Sequence, residues 1–366
     1  MRPKTPVPRV LHLLGPLRPS GMERMLVSGA PHFDALGLAG VVVGQGDEHP
    51  FSDHLRQAGY EVRTMGPVGI SLRNALALRR LVTEQSINVI HIHTERNYLR
   101  TILAARLALG TRGGIVRTVH NVFDASGRWK TSRRLQALVG DRLAAAVVVP
   151  SPDVQENEKR IGRKTRVIYN WVDDRLFTIS EQRANRKRED GGVLVGLIVG
   201  NCSPIKHHEL ALRALAESDS VLIHLGDESD ASAEELRLLA ELENSGRLLG
   251  RGVRPPDASL VEADFFLMPS RHEGMPVALA EALVAGLPAL VSDAAGLRWA
   301  GGIKGVQCLA QSDDAWSFAL TEWGRSVPDV ADLDIDFSAV RGTNEYADLY
   351  RSAALGSAGT QRVRDR

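Results

Sequence analysis

Residues 269–288 read Pro-Ser-Arg-His-Glu-Gly-Met-Pro-Val-Ala-Leu-Ala-Glu-Ala-Leu-Val-Ala-Gly-Leu-Pro, and they follow an apolar run, Asp264 to Met268, that predicts a buried strand. Pro276 suits a first helical position, since its ring presets φ and its missing N–H is not needed there. Leu279, Leu283 and Val284 then share one helical face, and Gly286 ends the helix before Pro288. A strand running into a helix N-terminus leaves several backbone N–H groups aimed at one spot, which is an anion site. Glu273 and Glu281 bracket it. Carboxylates repel a bare anion, but they suit one that belongs to a larger ligand whose hydroxyls need acceptors, as in a nucleotide-diphosphate sugar.

Working outward, the alternation of elements is that of a doubly wound α/β protein. Strand patterns at Arg9–Leu14, Gly40–Gly44, Glu61–Thr64, Asn88–His93, Gly114–Val119 and Ala145–Val149 are separated by helical patterns. A second series starts at Val193, with strands to Val199, at Val221–Leu225, near Arg247–Leu249 and at Asp264–Met268. The polar, charged stretch before it carries no apolar periodicity and reads as a linker. The expected layout is a first domain over 1–175, a linker over 176–192, a second domain over 193–336, a closing helix over 337–354 and a disordered tail over 355–366.

At 366 residues, 43% hydrophobic and 24% charged, the chain has the makeup of a soluble two-domain protein. No apolar run reaches spanning length, the N-terminus does not resemble a signal peptide, and two cysteines make no disulfide framework, so a cytoplasmic location is expected. The net charge of +1 hides an asymmetry: residues 1–175 hold 26 Lys and Arg against 15 Asp and Glu, whereas 176–366 hold 19 against 29. The basic half favours anionic partners.

Glu273 and Glu281, with seven residues between them and Gly274-Met275-Pro276 after the first, resemble the E-x7-E motif of glycosyltransferase family 4, a family of retaining enzymes with the GT-B fold. The likeness implies two Rossmann-like domains facing across a cleft, with the closing helix crossing back to the first. It implies that Glu273 contacts the donor sugar, that Glu281 holds the ribose, and that the stretch Gly274, Met275, Pro276, Val277 and Ala278 surrounds the diphosphate, with N–H groups from every residue but the proline. Further segments extend it over nearly the whole chain. Gly21, in Arg18-Pro19-Ser20-Gly21-Met22-Glu23-Arg24, resembles the family's Gly-Gly-x-Glu-Arg loop with Ser20 in place of the first glycine. His120, in Thr118-Val119-His120, resembles its Thr-x-His segment, whose histidine reaches the donor. Asn170-Trp171-Val172-Asp173 resembles Asn-Gly-Val-Asp, with Trp171 where glycine is usual. Gly200 to Lys206 resembles the Gly-Arg-x-x-x-x-Lys segment that binds the diphosphate; Lys206 is kept in the first helical turn, whereas Asn201 stands at the arginine position, with Arg271 a candidate replacement.

The resemblance implies a hexosyltransferase that retains configuration, needs no metal or cofactor, and uses a UDP- or GDP-sugar as donor and a glycan or lipid-linked acceptor, in cell-surface polysaccharide or glycolipid synthesis. The catalytic candidates are Glu273, His120 and Lys206. A sugar-nucleotide epimerase of the same fold, or a non-catalytic sugar-nucleotide-binding subunit, are the alternatives. His91 and His93 alternate on one strand and so share a face, but no third ligand at sensible spacing completes a metal site; His93 is placed on the acceptor side. Trp129, Arg133 and Arg134, with Arg96, Arg100 and Arg106 nearby, read as an interfacial anchor for an anionic membrane. No nucleic-acid partner is indicated.

Overall fold

A computed structural model describes residues 7–38, 40–95, 97–111, 113–123, 127–186, 192–330 and 333–356. The chain divides into two compact units, 1–171 with 338–366, and 172–337. The first is built on a seven-stranded sheet: β1 (Val10–Leu13), β2 (Gly40–Gln45), β3 (Glu61–Met65), β4 (Val89–Ile92), β5 (Gly114–Thr118), β6 (Ala146–Val149) and β7 (Arg166–Val167). The spatial order is β3-β2-β1-β4-β5-β6-β7, and every pairing is parallel. The second carries β8 (Val195–Val199), β9 (Val221–Leu225), β10 (Leu248–Gly252), β11 (Phe265–Met268), β12 (Ala289–Ser292) and β13 (Val306–Leu309). Its order is β10-β9-β8-β11-β12-β13, again all parallel.

Helices on both faces explain why the central strands are apolar at successive positions rather than alternating. All four residues of β1, β4, β11 and β12 are buried. In each sheet the order reverses beside the first strand of the unit, between β1 and β4 and between β8 and β11. Loops leaving the two strands at such a reversal diverge, which opens a crevice at their carboxyl ends.

The closing helix spans Ala339–Ala354, two residues later than expected at its start, with Ser338 as N-cap accepting from the Arg341 amide. It belongs to the first unit, as anticipated, and buries Tyr346, Leu349 and Tyr350 there. The Tyr350 hydroxyl lies 2.7 Å from His91 Nδ1 and the Tyr346 hydroxyl 2.9 Å from Thr118 Oγ1. Trp171 seats the helix from the other side: its indole N–H donates to the Met25 carbonyl at 3.0 Å, and its ring lies against Gly342. Its φ falls outside the left-handed region, so the position does not require the glycine usual in the family.

The expected linker over 176–192 is helical in its first half. Arg175–Ala184 is a helix of the second unit, and Arg183 donates to the carbonyls of Ala263, Asp264 and Gly286. These bonds satisfy carbonyls at strand and helix ends, a use of a cation that no local periodicity announces. Residues 187–191 and the expected tail from 357 lie outside the described residues.

Gly342 and Gly324 offer a paired test of the packing. A Cβ at Gly342 meets the Trp171 ring at 2.3 Å, while one at Gly324 meets nothing within 4 Å. Gly342→Ala is expected to lower stability in urea unfolding by about 1–3 kcal/mol, and Gly324→Ala to leave it unchanged or raise it by up to about 1 kcal/mol.

Candidate functional site

In the second unit the reversal between β8 and β11 brings together the loops 200–207 and 269–276. The loop after β8 is fastened at its base. Asn201 Oδ1 accepts from the Asp227 amide at 3.0 Å, the Cys202 amide donates to the Asp227 carbonyl at 2.8 Å, and a Cβ at Gly226 falls 2.0 Å from the Gly200 carbonyl oxygen. Only glycine permits that approach. Asn201, expected among the donor-binding residues, thus braces one loop against another.

Lys206 does not sit in a first helical turn. Its amide closes a turn onto the Ser203 carbonyl at 3.0 Å, His207 takes a left-handed φ of 52°, and the helix His208–Ala216 starts after it. The extra turn frees the side chain to reach across: Lys206 Nζ is 2.7 Å from Glu273 Oε1, which also accepts from Ser270 Oγ at 2.8 Å. The two loops are joined again where the Arg271 amide donates to the Ile205 carbonyl at 2.8 Å, which places Arg271, exposed, beside the Lys206 loop.

Glu273 is itself held from behind. Its amide donates to the Ala295 carbonyl at 2.9 Å. Gly296, at φ +83°, brings its Cα so close that a Cβ falls 2.0 Å from the Glu273 carbonyl oxygen. Gly274, Met275 and Pro276 are buried behind the carboxylate, and Pro276 is the N-cap rather than the first residue of the helix Val277–Val284. Ala278 is half-buried; so is Glu281, further along the same helix and within charge reach of Arg175. The structure therefore brings Lys206, Ser270 and Glu273 into contact, with a helix N-terminus next to them and Glu281 on that helix.

In the first unit the reversal between β1 and β4 gathers histidines. His12 on β1 and His91 on β4 are register partners, so one parity rule puts both on the same face. His12 Nδ1 is 3.2 Å from His93 Nε2, and His93 Nδ1 is 3.0 Å from His120 Nε2. His91 is occupied at both nitrogens, by the Tyr350 hydroxyl and by Thr118 Oγ1 at 2.8 Å. His12 thus supplies the third imidazole that sequence spacing alone could not, within metal-ligand reach of His91 and His93. With His91 engaged on both sides, the arrangement acts as a hydrogen-bonded chain that orients His120. These rings line a cavity with Met22, Phe33 and Trp171.

Gly21 opens the helix Gly21–Ala35 beside that cavity, but Ser20 changes what its N-terminus offers. The Ser20 side chain accepts from the Met22 amide at 3.3 Å and donates to the buried Glu23 carboxylate. The serine that replaces the family's glycine is an N-cap.

The residues expected at an anchor separate. Arg133 is buried, paired with Glu158 at 2.8 Å and laid over the Phe123 ring at 4.6 Å, so it is a core cation and not a membrane contact. Arg106 likewise donates to the carbonyls of Gly110, Gly113 and Leu143. Trp129 and Arg134 remain exposed, and Arg96 lies outside the described residues. No described helix is long and apolar enough to cross a membrane.

Two parallel doubly wound units, each with its polar side chains at the strand reversal, make up the GT-B fold. Residues 19–176 match the model of Glycosyltransferase Family 4 and residues 194–321 that of Glycosyl transferases group 1. Together the two matches mark a glycosyltransferase of the family 4 type. It is 27% identical over 318 residues to the putative glycosyltransferase EpsF of Bacillus subtilis, covering 78% of this chain and 79% of that one. It is 24% identical over 261 residues, 66% of this chain and 65% of the other, to the UDP-Gal:alpha-D-GlcNAc-diphosphoundecaprenol alpha-1,3-galactosyltransferase of Escherichia coli. Among solved structures, Anabaena HepE in complex with UDP and glucose superposes with a TM-score of 0.68 at 20% identity, over 98% of both chains. A glycosyltransferase from Rickettsia africae superposes at 0.70 with 14% identity, over 98% of this chain and 97% of that one.

Burial keeps the histidine chain neutral. It lowers His12 to about 3 and His120 to about 4, the latter helped by the Arg117 guanidinium, and holds His91 and His93 well below the ordinary value. In the unfolded chain these groups protonate near pH 6.5. Stability from their burial is complete above that pH and falls as pH drops towards the folded values, by about 1.4 kcal/mol per unit for each fully neutral ring. Thermal unfolding followed from pH 7 to 4.5 is expected to show this loss, and His12→Phe to make the slope shallower by about one proton.

Proposed function

We propose that the chain is a retaining hexosyltransferase that takes its sugar from a UDP- or GDP-hexose and passes it to a lipid-linked or glycan acceptor at an anionic membrane. The observation that carries this reading is the Lys206–Glu273 pair, 2.7 Å apart at the switch point of the second sheet. The two charges satisfy each other. A bound donor replaces both partners at once: its diphosphate takes the ammonium and the adjoining amides at the start of Val277–Val284, and a sugar hydroxyl takes the carboxylate. Glu281, further along that helix, is suited to the ribose hydroxyls. Positive potential fixed before the reaction stabilises the departing diphosphate without reorganisation, so transfer needs no added divalent cation. In the first unit His120, neutral and steered by His93, can donate to or accept from a hydroxyl.

The E. coli relative is named for transfer from UDP-Gal onto a diphosphoundecaprenol-linked sugar, while a relative from Mycolicibacterium smegmatis, 30% identical over 178 residues, is named for GDP-mannose. Both bases therefore belong in a binding screen. Lys206→Ala is expected to lower kcat by about 10²–10³-fold. Glu273→Gln should nearly abolish transfer with little change in nucleotide-diphosphate affinity, and Glu281→Gln should weaken that affinity. Wild-type kinetics in both glutamate variants would overturn the reading.

The membrane part of the proposal rests on three successive helices of the first unit, Leu72–Glu84, Tyr98–Leu109 and Gly127–Leu143, the middle one packed on each of the others. They expose Leu72, Leu76, Leu103, Leu107, Leu135 and Leu138, with Arg73, Arg80, Arg100, Arg134 and Arg142 exposed on the same helices. Apolar side chains among cations suit a headgroup layer, where each cation contributes about 1 kcal/mol. Salt-sensitive binding to vesicles containing phosphatidylglycerol is expected, reduced by Leu135→Ser with Leu138→Ser and by Arg134→Glu with Arg142→Glu. Equal partitioning onto neutral and anionic vesicles would favour a soluble acceptor.

A further inference from the structure

Below the Lys206 loop, four buried side chains from four separate elements point at one spot. Cys202 comes from the loop after β8, His208 from the start of the next helix, His224 from β9, and Glu235 from the first turn of the helix Ala233–Asn244. His224 Nε2 is 3.2 Å from His208 Nδ1, Cys202 Sγ is 3.8 Å from His208 Nδ1 and 3.7 Å from His224 Nε2, and Glu235 Oε1 is 3.0 Å from His208 Nδ1. Bonds of about 2.0–2.3 Å at tetrahedral angles place the ligand atoms of zinc about 3.3–3.6 Å apart. The observed edges bracket that range.

Hydrogen bonding alone does not account for the convergence. Two ring nitrogens facing each other at 3.2 Å can share one proton between them. Glu235 Oε1 is buried and its contact with His208 is out of line for a hydrogen bond. A buried carboxylate oxygen left so is costly. Its other oxygen, Oε2, is spoken for by the capping box, accepting from the Ser232 amide at 3.3 Å, which fixes the direction in which Oε1 points. On the outer side, Glu228 lies 3.6 Å from His224 Nδ1 and is held by Arg251 at 2.7 Å. Carboxylates placed behind a histidine in this way orient metal-bound imidazoles.

We propose that Cys202, His208, His224 and Glu235 bind a structural zinc ion. The thiolate, two neutral imidazoles and a carboxylate form a donor set that suits zinc, and four protein ligands leave no position open for substrate or water. The ion stitches the loop that carries Lys206 to β9 and to the following helix, so its task is to hold that loop and not to take part in transfer.

The test uses the full chain and reads metal and stability, independently of transferase activity. Protein produced in zinc-supplemented medium and gel-filtered in EDTA is expected to retain about one zinc per chain by mass spectrometry of the metal. After removal of zinc with a strong chelator in mild denaturant, the thermal midpoint should fall, and zinc should restore it. Cobalt in place of zinc should give the intense near-ultraviolet band of a thiolate–cobalt bond and the visible bands of a tetrahedral site. Cys202→Ser should lose the near-ultraviolet band, and His224→Gln should lower metal content. If those variants do not fold, the metal content and cobalt spectrum of the wild type decide. A wild-type chain without stoichiometric metal whose midpoint ignores zinc, or a cobalt spectrum lacking the thiolate band, overturns the proposal and leaves a hydrogen-bonded polar cluster only.

Discussion

A parallel sheet sends every strand's carboxyl end to the same edge, and where the strand order reverses the departing loops must part. Both units are built on that constraint. The reversal beside β1 gathers His93 and His120, and the reversal beside β8 gathers Lys206 and Glu273. Neither group is near in sequence: Lys206 and Glu273 are 67 residues apart, and His93 and His120 are 27 apart. Topology supplies the proximity that chain distance does not.

Parting loops are mobile unless something holds them, and a site that must present fixed charge cannot tolerate that. The chain answers with close backbone contacts as well as the Asn201 side chain. Gly226 lets one loop rest on the Gly200 carbonyl, and Gly296 lets another rest on that of Glu273. Both contacts exclude a Cβ, so they press main chain on main chain. The Lys206–Glu273 pair then ties the two loops together, which spares each charge a half-buried position without a partner.

Much of this was legible in the residues. Strand–helix alternation gave the two doubly wound units, because buried parallel strands write themselves as apolar runs. Glu273, Glu281 and Lys206 stood out because their spacing matches a family pattern. What escaped was non-local or depended on one torsion. The left-handed φ of His207 shifts the helix start and moves Lys206 out of its first turn. Arg133 looks like one more cation in a basic run, and only Glu158, 25 residues on, shows that it is buried. His12 is invisible as a partner of His91 until the register of β1 on β4 is known. The helix Arg175–Ala184 was masked by its charge, since its arginine serves strand-end carbonyls rather than solvent.

The first unit is assembled from two stretches of chain, with all of 172–337 between them. The Val172 amide donates to the Phe337 carbonyl at 3.0 Å, so the intervening unit leaves and rejoins at one point. On the ribosome, the seven-stranded sheet is finished long before the helix that covers Trp171, Thr118 and His91 is made. At about 5–20 residues per second, the face that receives Tyr346 and Tyr350 waits roughly 10–30 s for its cover. The second unit can fold in that interval as a closed insert. The first can only complete itself once Ala339–Ala354 has emerged.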